Sequence, residues 1–304
     1  MCAAGSRASS RRAGRSRRRE QRGRPEVILT APRPLQYTEF PPDSSVGDVA
    51  LTYWGFAVRD LPHPGFTHRV WPDGCVSLIL VRAALPGGPR IVDVRVVGPR
   101  VEPVEVPVFA GTCYWGIRFR PEAGAAWLRM PATSLRNANL VIDLPGDGAD
   151  ALRDALVPFG APDNDATTRA VGEVFDRWLA SGPPTSVDLV VRDAAAAIVA
   201  TNGLMPIAEI ATLLGISARS LQRRFRTATG VTPKEFATLR RGRAALKRVA
   251  ADDVAALGGW SGLADESGYA DQSHLIREFG RLTQFTPTLL QQRLDVIDHG
   301  RLID

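Results

Sequence analysis

Long hydrogen-bonding side chains line one face of a predicted helix that runs from Ala218 to about Ala228. Leu221 and Phe225 lie four residues apart, so they share a face and point towards the core. The other face carries the polar side chains Arg219, Gln222, Arg223 and Arg226. Arg can donate two hydrogen bonds to the edge of guanine, and Gln can pair with the edge of adenine. The pattern therefore predicts direct reading of base edges in a DNA major groove.

The same pattern occurs twice in the C-terminal third of the chain. Residues 220–233 and 274–287 match at an offset of 54 positions, with Leu, Arg, Phe and a closing Thr-Pro at corresponding places. A repeat this regular indicates a duplicated structural unit. Two such units about 50 residues apart can place two helices in successive major grooves, because one turn of B-DNA spans roughly 34 Å.

Local signals around the first copy indicate a helix-turn-helix. Pro206 begins a helix with apolar residues at helical spacing, and Gly215 ends it in the left-handed conformation that glycine tolerates. Ser217 is then the N-cap of the next helix. In the second copy Gly268 and Tyr269 occupy the positions that follow the first helix, and the turn is one residue longer.

The helix between the units, from Lys234 to Val249, is predicted to be a rigid spacer that also binds phosphate. From Ile207 to Arg248 ten basic and two acidic residues give a charge of +8. A charged face on one isolated helix is usually only solvated, but the repeat and this charge favour DNA binding. The predicted DNA-binding residues are Ser217, Arg219, Ser220, Gln222, Arg223, Arg226, Lys234, Arg240, Arg241, Arg243, Gln272, Ser273, His274, Arg277 and Arg281.

These motifs resemble the AraC/XylS family of bacterial transcription regulators. The resemblance covers about Ile207 to Arg293, and its most specific part is Gly268 to Phe279 followed by Thr286-Pro287. It implies a domain of seven helices, in which two helix-turn-helix units are joined by a long helix, and the activation or repression of promoters. Gln284 departs from the family, where many members carry Gly, so the end of that helix is expected to differ.

The chain before this region has a different periodicity. Short β-branched and aromatic runs between Pro25 and Gly146 predict strands at 76–81, 91–97, 104–109 and 113–119. A single helix is expected over Glu122 to Met130. The predicted fold class is α+β, with an N-terminal mainly-β barrel or sandwich, a helical linker and a C-terminal all-α domain. The predicted segments are a disordered arm (1–25), a β-rich domain (26–146), the linker (147–192) and the DNA-binding domain (193–298).

The helices of the linker leave three roles open. Their apolar stripes could join the two halves, form a dimer interface or pack only within the chain.

Two short segments, 69–78 and 116–124, more loosely resemble the N-terminal domain of one AraC-like subgroup. The resemblance implies a cupin-like domain for sensing or dimerisation, without a defined ligand. The candidates for an effector pocket are His68, Trp71, Asp73, Cys75 and Arg118. The alternative is that Pro72 to Gly74 is only a turn and that Trp71 and Cys75 are core residues.

The net charge of +6 over 304 residues is unevenly distributed. Nine arginines and one glutamate in the first 24 residues give +8, so the rest of the chain carries −2. This segment has almost no apolar residue and is expected to be disordered, either as a nucleic-acid-binding arm or as a solvated tail. Nothing in the sequence has the features of a signal peptide or approaches the roughly 20 apolar residues that span a bilayer, so a cytoplasmic protein is expected.

Catalysis has little support in the sequence. The scattered cysteines fit neither a disulfide framework nor a zinc site: Cys2, Cys75 and Cys113. The histidines form no metal-hydrolase motif: His63, His68, His274 and His299. We therefore predict no catalytic residue, no metal and no cofactor.

The leading hypothesis is a sequence-specific transcription regulator that binds promoter DNA and responds to a small-molecule effector. Further candidate partners are RNA polymerase, if the protein is an activator, and a second copy of the chain, but not a membrane. One alternative is a cupin-type metalloenzyme fused to a DNA-binding domain, which would need two or three histidines with a carboxylate in the β-rich domain. The other is an architectural protein that binds DNA without sequence preference.

The two units are predicted to contribute unequally to DNA affinity. Residues 252–304 hold four basic and nine acidic residues, a charge of −5, against +8 for residues 207–248. Because phosphate attraction supplies much of the affinity, Gln222→Ala and Arg223→Ala should cost more affinity than Gln272→Ala and Arg277→Ala. Titration of the four variants on one operator at fixed salt measures the difference. Equal losses, or larger losses in the second unit, would contradict the charge argument.

Overall fold

The computed structural model describes residues 35–58, 65–143, 148–182, 186–251 and 253–293. The predicted arm and His63 lie outside the described residues, as do the predicted domain ends at 146 and 298. Within these ranges a mainly-β N-terminal half precedes an all-helical C-terminal half, which confirms the predicted fold class at this level.

The β-strands are β1 (Leu35–Phe40), β2 (Ala50–Val58), β3 (Gly65–Val70), β4 (Ser77–Leu85), β5 (Gly88–Val97), β6 (Val104–Phe109), β7 (Thr112–Phe119) and β8 (Asn139–Val141). The helices are α1 (Gly124–Trp127), α2 (Ala132–Leu135), α3 (Gly148–Leu156), α4 (Asp165–Ala180), α5 (Leu189–Ala200), α6 (Ile207–Leu213), α7 (Ala218–Thr229), α8 (Pro233–Ala250), α9 (Gly259–Glu266), α10 (Gln272–Thr283) and α11 (Pro287–Arg293). The larger sheet has the strand order β1-β2-β7-β4-β5-β8, and β3 pairs with β6. The described pairs of strands are antiparallel.

One face of the larger sheet carries the main hydrophobic core. Side chains alternate between the faces of a strand, so Trp115, Ile117 and Phe119 of β7 share this face, and all three are fully buried. Helices α3 and α4 cover it with Leu156 and Phe175, which belong to the same core. The other face is partly covered by the β3–β6 pair, where Val108 packs against Phe56 of β2.

Within the segment 147–192, predicted as a linker, α3 and α4 pack into the N-terminal half, whereas Val191 at the start of α5 belongs to a core of the C-terminal half. Of the three roles left open, the structure shows packing within the chain for α3 and α4. The helix predicted over Glu122 to Met130 is shorter, and Arg129 has a left-handed φ of 54°, which is incompatible with a continuing helix.

The C-terminal half has two hydrophobic cores joined by α8. The first contains Leu221 and Phe225 of α7 together with Phe236 of α8. The second contains Leu246 of α8 together with Leu275 and Phe279 of α10. The described part of this half holds seven helices, α5 to α11, as the family resemblance implies.

The ends of α7 and α10 have the same backbone conformation in spite of different residues. Gly230 follows α7 with φ 78°, and Gln284 follows α10 with φ 59°. The expectation that Gln284 changes the end of its helix is wrong, since its backbone N–H still bonds to the Gly280 carbonyl. The left-handed conformation costs a non-glycine residue about 1–2 kcal/mol, and the buried contacts of α10 outweigh that cost.

An ion pair joins the N-terminal half to the start of α8. Arg136 donates from Nη1 and Nη2 to the two carboxylate oxygens of Glu235 at 3.0 and 2.7 Å. Glu235 also accepts from the backbone N–H of Thr232, and Thr232 in turn caps the N–H of Glu235. The hydrogen bonds from Arg136 lower the pKa of Glu235 from its usual 4.5 to about 2.

We expect Glu235→Gln to lower stability at neutral pH, because Gln keeps the capping box but loses the ion pair with Arg136. A carboxyl with a lowered pKa contributes stability above pH 4.5 and loses it as the pH falls towards 2. The difference in unfolding midpoint between wild type and variant should therefore shrink below about pH 4.5. Urea unfolding from pH 7 down to about pH 3 measures it. A difference that does not change with pH would show that the charge of Glu235 contributes nothing.

Candidate DNA interface

Helix α7 is held so that its polar face is open to solvent. Ser217 caps its start, accepting the Ser220 backbone N–H at 3.2 Å. Arg224 lies on another face and donates to both carboxylate oxygens of Asp188, the N-cap of α5, at 2.8 and 2.7 Å. The exposed side chains are Arg219, Gln222, Arg223 and Arg226, as predicted from the helical spacing.

These side chains line a concave surface with a volume of about 670 Å³. The residues around it are Thr133, Ser217, Arg219, Ser220, Gln222, Arg223, Arg226 and Thr227. Seven of them are predicted contacts or neighbours on α7, whereas Thr133 belongs to α2 in the N-terminal half. Arg and Gln on one exposed helical face can donate to guanine and adenine edges, which is the chemistry of base reading.

The second unit presents a smaller polar face. Asp271 caps α10 by accepting the His274 backbone N–H at 2.6 Å. His274 is half-buried against the Tyr269 ring, with ring centroids 5.3 Å apart, and its Nδ1 faces the Ala270 N–H at 3.5 Å. The exposed predicted contacts are Gln272, Ser273, Arg277 and Arg281, and Arg281 lies 3.4 Å from Glu278.

Two of the four α8 cations that were predicted to bind DNA are buried in this structure. Arg240 and Arg243 are only 7% and 8% exposed, so in this arrangement they cannot reach DNA. They share the face of Phe236, at i+4 and i+7, and this spacing could have revealed their burial. Arg241 packs its guanidinium over the Tyr269 ring at 5.1 Å. Lys234 is the exposed cation among the four α8 residues that the sequence analysis placed on DNA.

Arg240 and Arg243 face the N-terminal half. Burial lowers the pKa of Arg243, while the charge of Asp73 opposes that shift. A Cβ at Gly74, beside Asp73, would lie 2.8 Å from the Phe236 ring, so the turn after β3 packs directly on α8.

The structure brings together three of the five predicted effector residues. Arg118 donates to Glu39 at 2.9 Å and lies 2.7 Å from the carboxylate of Asp73, which accepts the Cys75 backbone N–H at 2.9 Å. Burial and then the charge of Asp73 raise the pKa of Cys75 to about 12, so its thiol stays protonated. Glu39 and its hydrogen-bonded neighbour Tyr37 were not among the predicted residues, because no sequence motif marks them.

The other two predicted effector residues lie apart from this cluster. His68 stacks on Phe56 at 5.2 Å between centroids, and burial lowers its pKa to about 4. Trp71 packs against the core of the second helix-turn-helix unit. The five residues therefore do not share one cluster in this structure: His68 lies within the β-rich half, and Trp71 packs on the C-terminal half.

Two helix-turn-helix units with exposed arginines and glutamines on their second helices define a DNA-binding transcription regulator. A family model described as a helix-turn-helix domain matches residues 210–293. The C-terminal region is thus an AraC-type helix-turn-helix domain, as the sequence resemblance implies. A second model, described as a domain of unknown function (DUF6597), matches residues 38–141.

Solved structures similar to this chain include those of ToxT from Vibrio cholerae. An apo lysine-to-alanine variant from strain SCE256 has 10% identity and a TM-score of 0.43, covering 86% of this chain and 97% of ToxT. ToxT from strain O395 has 10% identity and a TM-score of 0.41, covering 86% and 98%. Wild-type ToxT from strain SCE256 bound to an unsaturated fatty acid has 10% identity and a TM-score of 0.41, covering 77% and 97%. A comparison with curated proteins gives no match.

Two features are absent from the described residues. None of their helices is both long and apolar enough to cross a membrane. No cluster of three or more His, Cys, Asp or Glu side chains in these ranges is arranged to hold a metal ion.

If Arg223 reads a base edge and Lys234 binds only phosphate, their alanine variants should have different effects on DNA binding. Arg223→Ala should relax the preference at one base pair by about 1–3 kcal/mol. Lys234→Ala should weaken binding to all sequences alike and make the slope of log affinity against log salt concentration shallower by about one unit. Binding of single-base operator variants at several salt concentrations separates the two. Uniform weakening by Arg223→Ala, with preference intact, would contradict base reading by this residue.

Proposed function

We propose that this protein regulates transcription in the cytoplasm, with α7 as the main base-reading helix and the N-terminal half as the regulatory part. The observation that carries the proposal is the exposed row of Arg219, Arg223 and Arg226 on α7, whose opposite face is fixed in a core. A role without catalysis agrees with the protonated thiol of Cys75, which is not a nucleophile at neutral pH.

The regulatory part of the proposal depends on the contact between the N-terminal half and α8. Asp73 and Arg118 lie among charges that include Arg243, and α8 contributes to the cores of both units. A small molecule that moves the turn after β3 would therefore act on both reading helices at once. Dimerisation through the N-terminal half and contact with RNA polymerase are further parts of this proposal.

Selection of binding sites from a random DNA pool by the full-length protein tests the proposed function. We expect enrichment of a site with two half-sites one helical turn apart, about 10 base pairs from centre to centre, and firmer protection of one of them in footprints. Equal binding of selected and random duplexes in competition would favour the architectural alternative. A stoichiometric metal in the purified protein would favour the metalloenzyme alternative.

The variant Asp73→Asn tests the regulatory part with the same selected duplex. It keeps the turn's shape but removes a carboxylate that lies 2.7 Å from Arg118. We expect DNA affinity to change although Asp73 is not part of α7, because buried Arg118 then keeps only Glu39 as a carboxylate partner and Arg243 loses a compensating charge, which shifts the packing on α8. Asp93→Asn, which changes a carboxylate that pairs with Arg95 in β5, is the matched control. Unchanged affinity in Asp73→Asn would exclude control through this contact.

A further inference from the structure

The base-reading face of α7 ends directly on the N-terminal half. Arg219, Arg223, Arg226 and Gly230 follow one another at i, i+4, i+7 and i+11, so they lie along one stripe of the helix. Gly230 ends this stripe, and a Cβ there would overlap the carbonyl oxygen of Ala132 in α2. The stripe that reads bases therefore continues without a gap into α2.

The length of α7 determines what this end of the stripe meets on DNA. Twelve residues span about 18 Å, whereas the major groove is about 12 Å wide. When the first turns of α7 contact base edges and the helix is inclined across the groove, its last turn passes over the sugar-phosphate chain at the groove edge. Any element that packs against that last turn is then close to phosphates.

Contacts fix α2 in this place. Arg136, the residue after α2, binds Glu235 with two hydrogen bonds and lies 3.4 Å from the Gly230 carbonyl. Ala132 and Leu135 of α2 are buried, whereas Thr133 between them is exposed. Thr133 lines the same concave surface as Arg223 and Arg226.

The chemistry of this segment suits an anionic partner. Residues 123–138 include Arg129 and Arg136 but no acidic residue. Arg136 is engaged by Glu235, so it is not available to a further partner. Arg129 is exposed, and the Thr133 hydroxyl is a hydrogen-bond donor on the rim of the concave surface. Arginine and threonine side chains are common donors to phosphate oxygens.

We propose that Arg129 and Thr133 of the N-terminal half bind the phosphate chain beside the major groove that α7 reads. The contact extends the DNA interface beyond the helix-turn-helix units and makes the N-terminal half a direct participant in affinity. This inference rests on the proposed DNA-binding function. The alternative is that α2 obstructs the approach of DNA to α7.

Binding of the full-length protein to the selected duplex and to a random duplex of about 30 base pairs, roughly three helical turns, tests the proposal. Arg129→Ala should raise the dissociation constant roughly threefold to tenfold on both duplexes. It should also make the slope of log affinity against log salt concentration shallower by about one unit. Arg129→Lys should restore most of the affinity, since it keeps the charge. Thr133→Val should weaken binding slightly and Thr133→Glu strongly, because a carboxylate repels phosphate.

Arg90→Ala, an exposed arginine of β5 in the same half, is the matched control and should bind like wild type. Unfolding midpoints equal to that of wild type exclude a folding defect in each variant. Unchanged or tighter binding by Arg129→Ala and Thr133→Glu would overturn the phosphate contact and favour obstruction. If wild type shows no preference for any duplex, the proposed function fails, and the salt dependence of Arg129→Ala on random DNA still tests the contact.

Discussion

Helix α8 is the structural constraint on which the rest of the chain depends. Its 18 residues, about 27 Å long, are shared between the cores of both helix-turn-helix units. Thr232 and Glu235 close its N-terminus with a capping box, so the helix begins at a fixed residue. Because α7 and α10 pack against the two ends of one rigid rod, their separation is set by the length and twist of α8.

The burial of Arg240 and Arg243 follows from a third contact on the same helix. An amphipathic helix usually leaves one side to solvent, but the N-terminal half covers that side of α8. Buried guanidinium groups are costly unless opposite charges compensate them, and Asp73 supplies one such charge next to Arg243. The charges of the N-terminal half and of α8 are therefore part of one arrangement.

Much of the C-terminal half could be predicted from the sequence because its signals are local. Leu221 with Phe225 fixed the buried face of α7 and Ser217 marked its start, so the exposed polar face followed. The burial of Arg240 and Arg243 was missed because a cation on a helix is usually exposed, although their spacing from Phe236 places them on its buried face.

The N-terminal half was harder to predict because its decisive contacts are distant in sequence. The runs at 76–81, 91–97, 104–109 and 113–119 correspond to β4, β5, β6 and β7, and their β-branched and aromatic residues predicted them. Strand β2 was missed, although it is the neighbour of β7. Glu39 lies on β1, far in sequence from its partner Arg118, so only the sheet brings this pair together.

The two repeated units meet different parts of the N-terminal half. Gly230 allows α2 to approach the end of α7, whereas the same position after α10 holds Gln284, which is exposed and adopts the same left-handed backbone. The second unit instead receives Arg69 of β3, whose guanidinium lies 4.6 Å from the Phe285 ring centre, together with Trp71. The residue after each recognition helix thus reflects the packing that the unit must accept. Duplication of the helix-turn-helix supplied two similar reading helices, and their contacts with the rest of the chain made them unequal.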